Sequence, residues 1–282
     1  MKISVLLSLF SKENECFFNR SMESIWDDQI RKPDEIILVQ DGPLTEKLNS
    51  IVSKWKDKIP TILKVVPLAK NVGLASALNE GVKQCSGDYI ARMDTDDISL
   101  PNRFFIQEEY LKKNPDIALV GGAMIEFNDE DGDIATRVMP LKYEDIRSAF
   151  CKTNPFVHPS VIISRQVFDQ GLFYDTNFRK NQDLEFWFRI MAAGFKVANL
   201  PDVILKFRKD PQLYKKRSKS AGSEFKIYVR GIASVYGIFT WRYLFPIVHY
   251  LYRMLPSGLA LWIYKHIIGP YWQRQAKANA KK

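Results

Sequence analysis

Apolar residues along the first two hundred positions come in short blocks of two kinds. Ile3–Leu9, Glu35–Val39, Ile62–Val66 and Tyr89–Met93 are compact runs rich in Ile, Leu and Val, the pattern of strands covered on both faces. Between them lie stretches with helical spacing: Glu15–Trp26, whose Phe17, Phe18, Met22, Ile25 and Trp26 fall near one face, then Glu46–Lys56 and Leu74–Cys85. This alternation predicts an α/β fold, a mostly parallel central sheet flanked by helices. Such sheets bind ligands beyond the carboxyl ends of their strands, where Asp41 and Asp94 fall. Further on, the pattern predicts a helix over Pro101–Lys113, a strand over Ile117–Gly121, a surface hairpin turn at Asn128–Asp133 and a helix over 142–151. A strand over Ser160–Ser164, a helix over Leu184–Ala193 capped by Gly194, and a strand over Lys196–Leu200 ending at Pro201 complete this part.

The pattern changes after about residue 205. Lys206–Lys219 is basic and polar, and residues 224–272 are rich in Tyr, Trp, Phe, Leu and Ile. Arg242, Pro246, His249, Arg253, Pro256, Lys265 and Pro270 interrupt the apolar stretches, so none reaches the ~18 to 20 residues of a spanning helix. The charge divides at the same place. Residues 1–202 hold 25 Lys and Arg against 30 Asp and Glu, a balance of −5; residues 203–282 hold 16 against 2, a balance of +14. The tail is expected to meet an anionic partner, phospholipid headgroups or nucleic acid. Aromatic residues among Lys and Arg fit helices lying in a membrane interface; the alternative is a helical cap on the preceding domain or on another subunit. The expected division is a catalytic domain over 1–205 and a basic, helical C-terminal region over 206–282.

A chain of 282 residues, 46% hydrophobic, can bury a substantial core. The start, MKISVLLSLFSKENE, has the opening of a signal peptide, but its apolar run is short, no small-residue cleavage site follows and acids appear at once. A buried strand in a cytoplasmic protein is expected instead. Cys16, Cys85 and Cys151 are too widely spaced for a metal pair or a disulfide framework and read as buried or half-buried thiols.

Candidate chemistry centres on Asp94-Thr95-Asp96-Asp97. Three carboxylates in four residues repel one another unless a cation is present, and hard oxygen donors suit Mg²⁺ or Mn²⁺. Alone, the tetrapeptide reads equally as a solvated turn or as a helix N-cap provided by Asp97. Its context decides. NxGLxxALNxG (Asn71–Gly81), SGDYIARMDTDD (Ser86–Asp97) and NQDLEFW (Asn181–Trp187) occur in that order, after Asp41-Gly42. In these motifs the chain resembles the family 2 glycosyltransferases of the GT-A fold, over roughly residues 1–205.

The resemblance implies roles. Ser8 and Phe10 would line the nucleoside pocket, Phe10 standing where a tyrosine is usual. Asp41 would recognise the uracil ring, Asn71 and Gly73 would close over the nucleotide, and Asp94 and Thr95 would lie near the ribose and donor sugar. Asp96 would bind the metal, Mn²⁺ or Mg²⁺, and Asp97 would support it or touch the donor. Asp183, in a Gln182-Asp183 pair where Glu-Asp is commoner, would be the general base of an inverting transfer. Asp175 and Glu185 compete for that role. His158 and Gln182 are candidates near the acceptor or diphosphate, and Trp187 reads as core or as an acceptor-side wall. Arg92 is placed to pair with the acidic cluster. Taken alone, Asp41-Gly42 is an ordinary turn and Asn71 an ordinary helix N-cap.

The implied reaction transfers one hexose, glucose or galactose, from a UDP-sugar to GlcNAc or GalNAc on a polyprenyl diphosphate, in bacterial surface polysaccharide assembly at the inner face of the cytoplasmic membrane. Trp241-Arg242 is superficially like the QxxRW signature of processive synthases, but the glutamine is missing, which favours single addition. A nucleotidyltransferase would carry a Gly-rich phosphate loop near the N-terminus, and Ser8–Asn14 has no glycine. A nucleic-acid-binding protein would not need the carboxylates, so no nucleic acid is expected. A membrane scaffold with a decayed transferase domain would not keep both DTDD and Asp183.

Overall fold

The computed structural model describes residues 1–209 and 221–255. The first half is a run of β1 (Ile3–Leu9), α1 (Glu15–Ile25), β2 (Glu35–Gln40), α2 (Glu46–Lys58), β3 (Leu63–Pro67), α3 (Leu74–Val82) and β4 (Tyr89–Arg92). These strands form parallel ladders in the order β3-β2-β1-β4. Every β1 residue but Ser8 is buried, which is why its sequence shows no polar alternation. Local signals start the helices: Asn14 accepts from the amides of Cys16 and Phe17 to cap α1, and Thr45 accepts from Leu48 to cap α2.

The second half comprises β5 (Ile98–Ser99), α4 (Arg103–Lys113), β6 (Ile117–Asn128), β7 (Gly132–Arg137), α5 (Tyr143–Ala149), β8 (Ile162–Ser164), α6 (Arg165–Asp169), α7 (Gln182–Ala192) and β9 (Lys196–Arg208). The described sheet runs β3-β2-β1-β4-β8-β6-β9-β5, with β7 on β6. β8 enters antiparallel between β4 and β6, whereas β6 and β9 are parallel.

Three short elements escape the sequence pattern. β5 has two residues, α6 has five, and every residue of β7 is exposed, so no apolar period marks them. The last strand does not end at Pro201. Gly122 of β6 pairs with Leu200 and Ala123 with Val203, so Pro201 and Asp202 are bulged outward and β9 continues to Arg208. Proline has no N–H to offer a ladder and is tolerated at such an irregularity. The extra length carries Arg208 to the acidic cluster. Cys85 and Cys151 are buried, but Cys16 is exposed on the first turn of α1.

α8 (Ala221–Tyr236), a single 3-10 turn (Trp241–Tyr243) and α9 (Leu244–Met254) follow. Ile227, Tyr228 and Ile232 of α8 join the core cluster that holds Phe186 and Phe188 of α7. The Phe188 and Tyr228 rings meet edge to face at 5.9 Å, and the Tyr236 hydroxyl donates to the Arg147 carbonyl. The first helix of the basic region is thus a cap on the domain that precedes it. Residues 210–220 and 256–282, which include most of the basic run and the last expected helices, lie outside the described residues.

Gly231 allows this packing. A Cβ there would stand 2.2 Å from Phe188 Cγ, the root of a buried ring. Alanine normally gains up to about 1 kcal/mol over glycine in a helix, but overpacking a core costs about 1–3 kcal/mol. Gly231→Ala is therefore expected to lower Tm; an unchanged or raised Tm in thermal denaturation would show that α8 does not press on α7.

Candidate active site

The carboxyl ends of β1, β2 and β4 converge on one rim of the sheet. Asp41 follows β2, and its buried carboxylate reaches across to the loop before α3. Oδ1 accepts from the Val72 amide at 2.6 Å; Oδ2 accepts from Asn71 Nδ2 at 3.0 Å and the Gly73 amide at 3.1 Å. Asn71 is therefore not a helix cap; the residue at the cap position of α3 is Gly73. Gly42 (φ +87°) makes the approach possible, since a Cβ there would lie 2.6 Å from the Asn71 nitrogen. Asp41, Asn71 and Gly73, read separately in the sequence, are one hydrogen-bonded unit. Ser8 and Phe10, both half-buried, end β1 on the same rim.

The DTDD segment leaves β4 with its backbone held: Ser21 Oγ donates to the Asp94 carbonyl at 2.8 Å. Carboxylate oxygens of Asp94, Asp96 and Asp97 lie within 4.8 Å of one another. Asp97 does not cap α4, which begins at Arg103. It is 1% exposed; Oδ1 accepts from the Arg208 amide at 2.7 Å and Oδ2 has no partner. Arg208 also donates from Nε to the Asp96 carbonyl at 2.8 Å, with its guanidinium 3.7 Å from the Phe17 ring centroid and 4.5 Å from that of Phe127. Burial and the neighbouring Asp94 push Asp96 up to about 6; burial, Asp94 and Asp96 push Asp97 well above the usual carboxylate range. Glu13, half-buried in the loop after β1, faces the same group and is pushed up to about 7 by burial, Asp96 and Asp94. Nothing around Glu13 or Arg208 in the sequence marks them for this place; the fold delivers both.

Arg92 connects this cluster to a second one. Its side chain is 2% exposed, its Nη1 pairs with Asp94 Oδ1, and its Nε has no hydrogen-bond partner. Its charge acts on Asp183, His158 and Tyr174 as well. Asp183 is the second residue of α7, behind Asn181 in a left-handed conformation (φ 55°). Asp183 Oδ2 accepts from Asn154 Nδ2 at 2.7 Å, and burial raises its pKa above the ordinary value. The two competing carboxylates are otherwise engaged. Glu185 holds Arg189 with two bonds of 2.7 and 2.8 Å, and Asp175 accepts from the Asn177 amide and side chain within its own loop.

His158 Nε2 meets the Tyr174 hydroxyl at 2.9 Å, and burial together with Arg92 pushes its pKa well below the usual range, so the ring is neutral. The Tyr174 backbone is gripped in both directions by Asn79, the asparagine of the ALN motif, at 2.8 and 2.9 Å. Trp187 is 1% exposed, packed against Phe156, His158 and Phe186, so its ring is part of the core. Gln182 is also buried, and its Oε1 lacks a partner. Asn154, Tyr174, Glu13 and Arg208 are the members that sequence reading misses.

The donor set tests whether a divalent cation fits. It consists of crowded hard oxygens, one of them buried without a partner, with the pKa values of Asp96 and Asp97 raised by burial and by repulsion. That combination suits Mn²⁺ or Mg²⁺. In the folded chain Asp96 and Glu13 titrate near 6 and 7, against ordinary values of 3.8 and 4.5. Between about pH 4 and pH 7 the folded state holds protons that the unfolded state has released, so these groups contribute less stability as pH rises through that window. A cation must displace those protons. Its stabilising shift in Tm is expected to be large at pH 7.5 and small at pH 5.5; equal shifts at both values would refute the assignment. Comparing shifts cancels the opposite trend from neutral His158.

The fold is that of the GT-A glycosyltransferases, and comparison with known proteins places the chain in a family. The sequence model of glycosyl transferase family 2 matches residues 4–172, more than half of the chain. The chain belongs to that family. It is 36% identical over 265 residues to the amylovoran biosynthesis glycosyltransferase AmsE of Erwinia amylovora, covering 93% of this chain and 97% of that one. It is 30% identical over 275 residues to the UDP-Gal:alpha-D-GlcNAc-diphosphoundecaprenol beta-1,3-galactosyltransferase of Escherichia coli, covering 95% and 96%. Among solved structures, the fold matches a Pyrobaculum calidifontis mannosyltransferase in complex with GDP-Man and Mn²⁺ (TM-score 0.68, 16% identity, 100% of this chain and 81% of that one). It also matches S. aureus TarS 1–349 in complex with UDP (TM-score 0.65, 14% identity, 92% and 76%). α7, with Asp183, lies beyond the family match.

Proposed function

We propose that the chain transfers one hexose, galactose or glucose, from a UDP-sugar to a hydroxyl of GlcNAc or GalNAc carried on a polyprenyl diphosphate, with inversion, during assembly of a bacterial surface polysaccharide. The observation that carries this reading is the cluster of three carboxylates at the end of β4, where Oδ2 of the buried Asp97 has no partner. Arg92 is ion-paired with Asp94 of that cluster, and Asp183, held by Asn154, supplies a candidate base. The chemistry of the Escherichia coli relative, a UDP-galactose donor and a diphosphoundecaprenol acceptor, supports the choice of substrates.

Asp41 would recognise the base. Three N–H groups already occupy its oxygens, two of them on Oδ2, which leaves room on Oδ1 for a uracil imide. Asp94 and Thr95 would lie toward the ribose and donor sugar. Asp96, with Asp94 and Asp97 in reach, would hold Mn²⁺ or Mg²⁺. When bound, the cation supplies charge neutralisation for the departing diphosphate. Asp183 would take the proton of the attacking hydroxyl. Its raised pKa makes it a better acceptor than an ordinary carboxylate, and Asn154 fixes one of its oxygens. His158 and Gln182 would shape the acceptor side. Among the described residues no helix is long and apolar enough to cross a membrane. The basic C-terminal region would hold the enzyme peripherally on the inner face of the cytoplasmic membrane, where the lipid acceptor is presented.

The test is a screen of UDP- and GDP-sugars with Mn²⁺ or Mg²⁺ against short lipid-diphosphate GlcNAc and GalNAc, read by mass. Addition of a single hexose from UDP-galactose or UDP-glucose is expected. Turnover of GDP-sugars alone, or repeated addition, would overturn the reading.

A further inference from the structure

α9 is amphipathic in an unusual sense: both faces are apolar, and only one is covered. Phe245 and Tyr243 pack on the core, and Tyr250 meets Phe225 of α8 at 5.2 Å. The opposite face carries Leu244, Val248 and Leu251 at helical spacing, each more than half exposed. Phe239 and Trp241, 95% and 65% exposed, extend it into the preceding turn. Large apolar side chains gathered on one surface mark a contact site.

The position of this stripe identifies its partner. Lys152 Nζ lies 5.0 Å from the Phe245 ring centroid, and Lys152 is two residues from Asn154, which binds Asp183. Phe245 meets the Trp241 ring at 5.3 Å, so the Trp241 end of the stripe lies toward residues 152–154. Cations gather at that end: Arg242 lies over the Trp241 and Tyr236 rings, Lys152 over Phe245 and Arg147 over Tyr236. Residues 256–282 bring five Lys and Arg and no Asp or Glu, so they offer no charge to pair with those cations. A second copy would set cations against cations. An anionic bilayer matches both the apolar stripe and the cations at its end, with Trp241 at the depth where indoles partition.

We propose that the Phe239–Leu251 stripe is the face on which the enzyme rests on an anionic membrane, with Lys152 and Arg242 at headgroup level, so that a lipid-borne acceptor enters beside Asn154 and Asp183. The inference rests on the lipid-linked acceptor proposed above and assigns the surface that meets it.

The test uses the full chain and the double variant Leu244→Asp/Leu251→Asp, whose side chains are exposed. Folding is checked by circular dichroism and UDP binding. In co-sedimentation, the parent chain is expected to bind phosphatidylcholine vesicles containing phosphatidylglycerol and to ignore pure phosphatidylcholine; the variant should bind about tenfold less. Transfer to a long-chain acceptor in vesicles should fall with binding, while transfer to a water-soluble short-chain acceptor stays at the parent level. A variant that binds vesicles as the parent does would overturn the proposal. So would a parent chain that ignores anionic vesicles, which points to residues 256–282 as the cover, or a parent dimer that the variant dissolves. If the parent chain transfers to neither acceptor, the reaction assignment fails, and the vesicle arm still judges the face.

Discussion

Asp183→Asn is expected to lower the transfer rate by about 10³-fold, within the 10²–10⁴ that a positioned general base supplies. UDP binding should stay near the parent level. Asparagine keeps the shape and can still meet Asn154 after an amide flip, so α7 should not move. It cannot accept the acceptor's proton as a carboxylate does. The effect should fall on kcat more than on KM, because proton removal belongs to the transition state. Equal loss of UDP binding would point to a structural role. Retained turnover would move the base elsewhere, although Glu185 is held by Arg189 and Asp175 by its own loop.

Asp96→Ala makes a different kind of case, because two observables move in opposite directions. Activity should fall by roughly 10³-fold, the equivalent of about 4 kcal/mol of lost charge stabilisation at 1.36 kcal/mol per tenfold. Stability without metal should rise, since the substitution removes one charge from three crowded carboxylates; burial, together with their repulsion, lifts Asp96 to about 6 and Asp97 well above the usual carboxylate range. The stabilising response to Mn²⁺ should vanish with it. Activity measured by product mass and Tm measured with and without Mn²⁺ decide the matter. A variant that loses Tm and still responds to the cation would show Asp96 to be a structural acid, with the metal held by other groups.

The two halves of the molecule differ in how far the sequence reveals them. β1 to β4 and their helices are legible because strands buried on both faces and amphipathic helices leave unlike periods. Asp41 and Asp94 are legible as strand-end acids. The hydrogen bonds from Asn71 and Gly73 to Asp41 are not, because they cross about thirty residues of chain through a glycine turn. The second half resists reading where tertiary contact overrides local pattern. β9 passes a proline that should end it, because β6 offers a bulge, and this longer path brings Arg208 under Asp97. Glu13 and Asn154 are ordinary loop residues until the sheet rim gathers them. Trp187 shows a limit of another sort: helical spacing places it on a face, and only the packing of Phe156 and His158 shows that the face is inside. In the C-terminal region the charge balance is plain in the sequence. That α8 caps the domain depends on Gly231 against Phe188, which composition does not convey.

The most direct test of the central claim is the anomeric configuration of the product formed by the full chain from an α-linked UDP-hexose and Mn²⁺, read by NMR, with Asp183→Asn in parallel. The account predicts a β-linked single hexose from the parent chain and almost none from the variant, with UDP still bound by both. An α-linked product, or a variant that turns over like the parent, would contradict it.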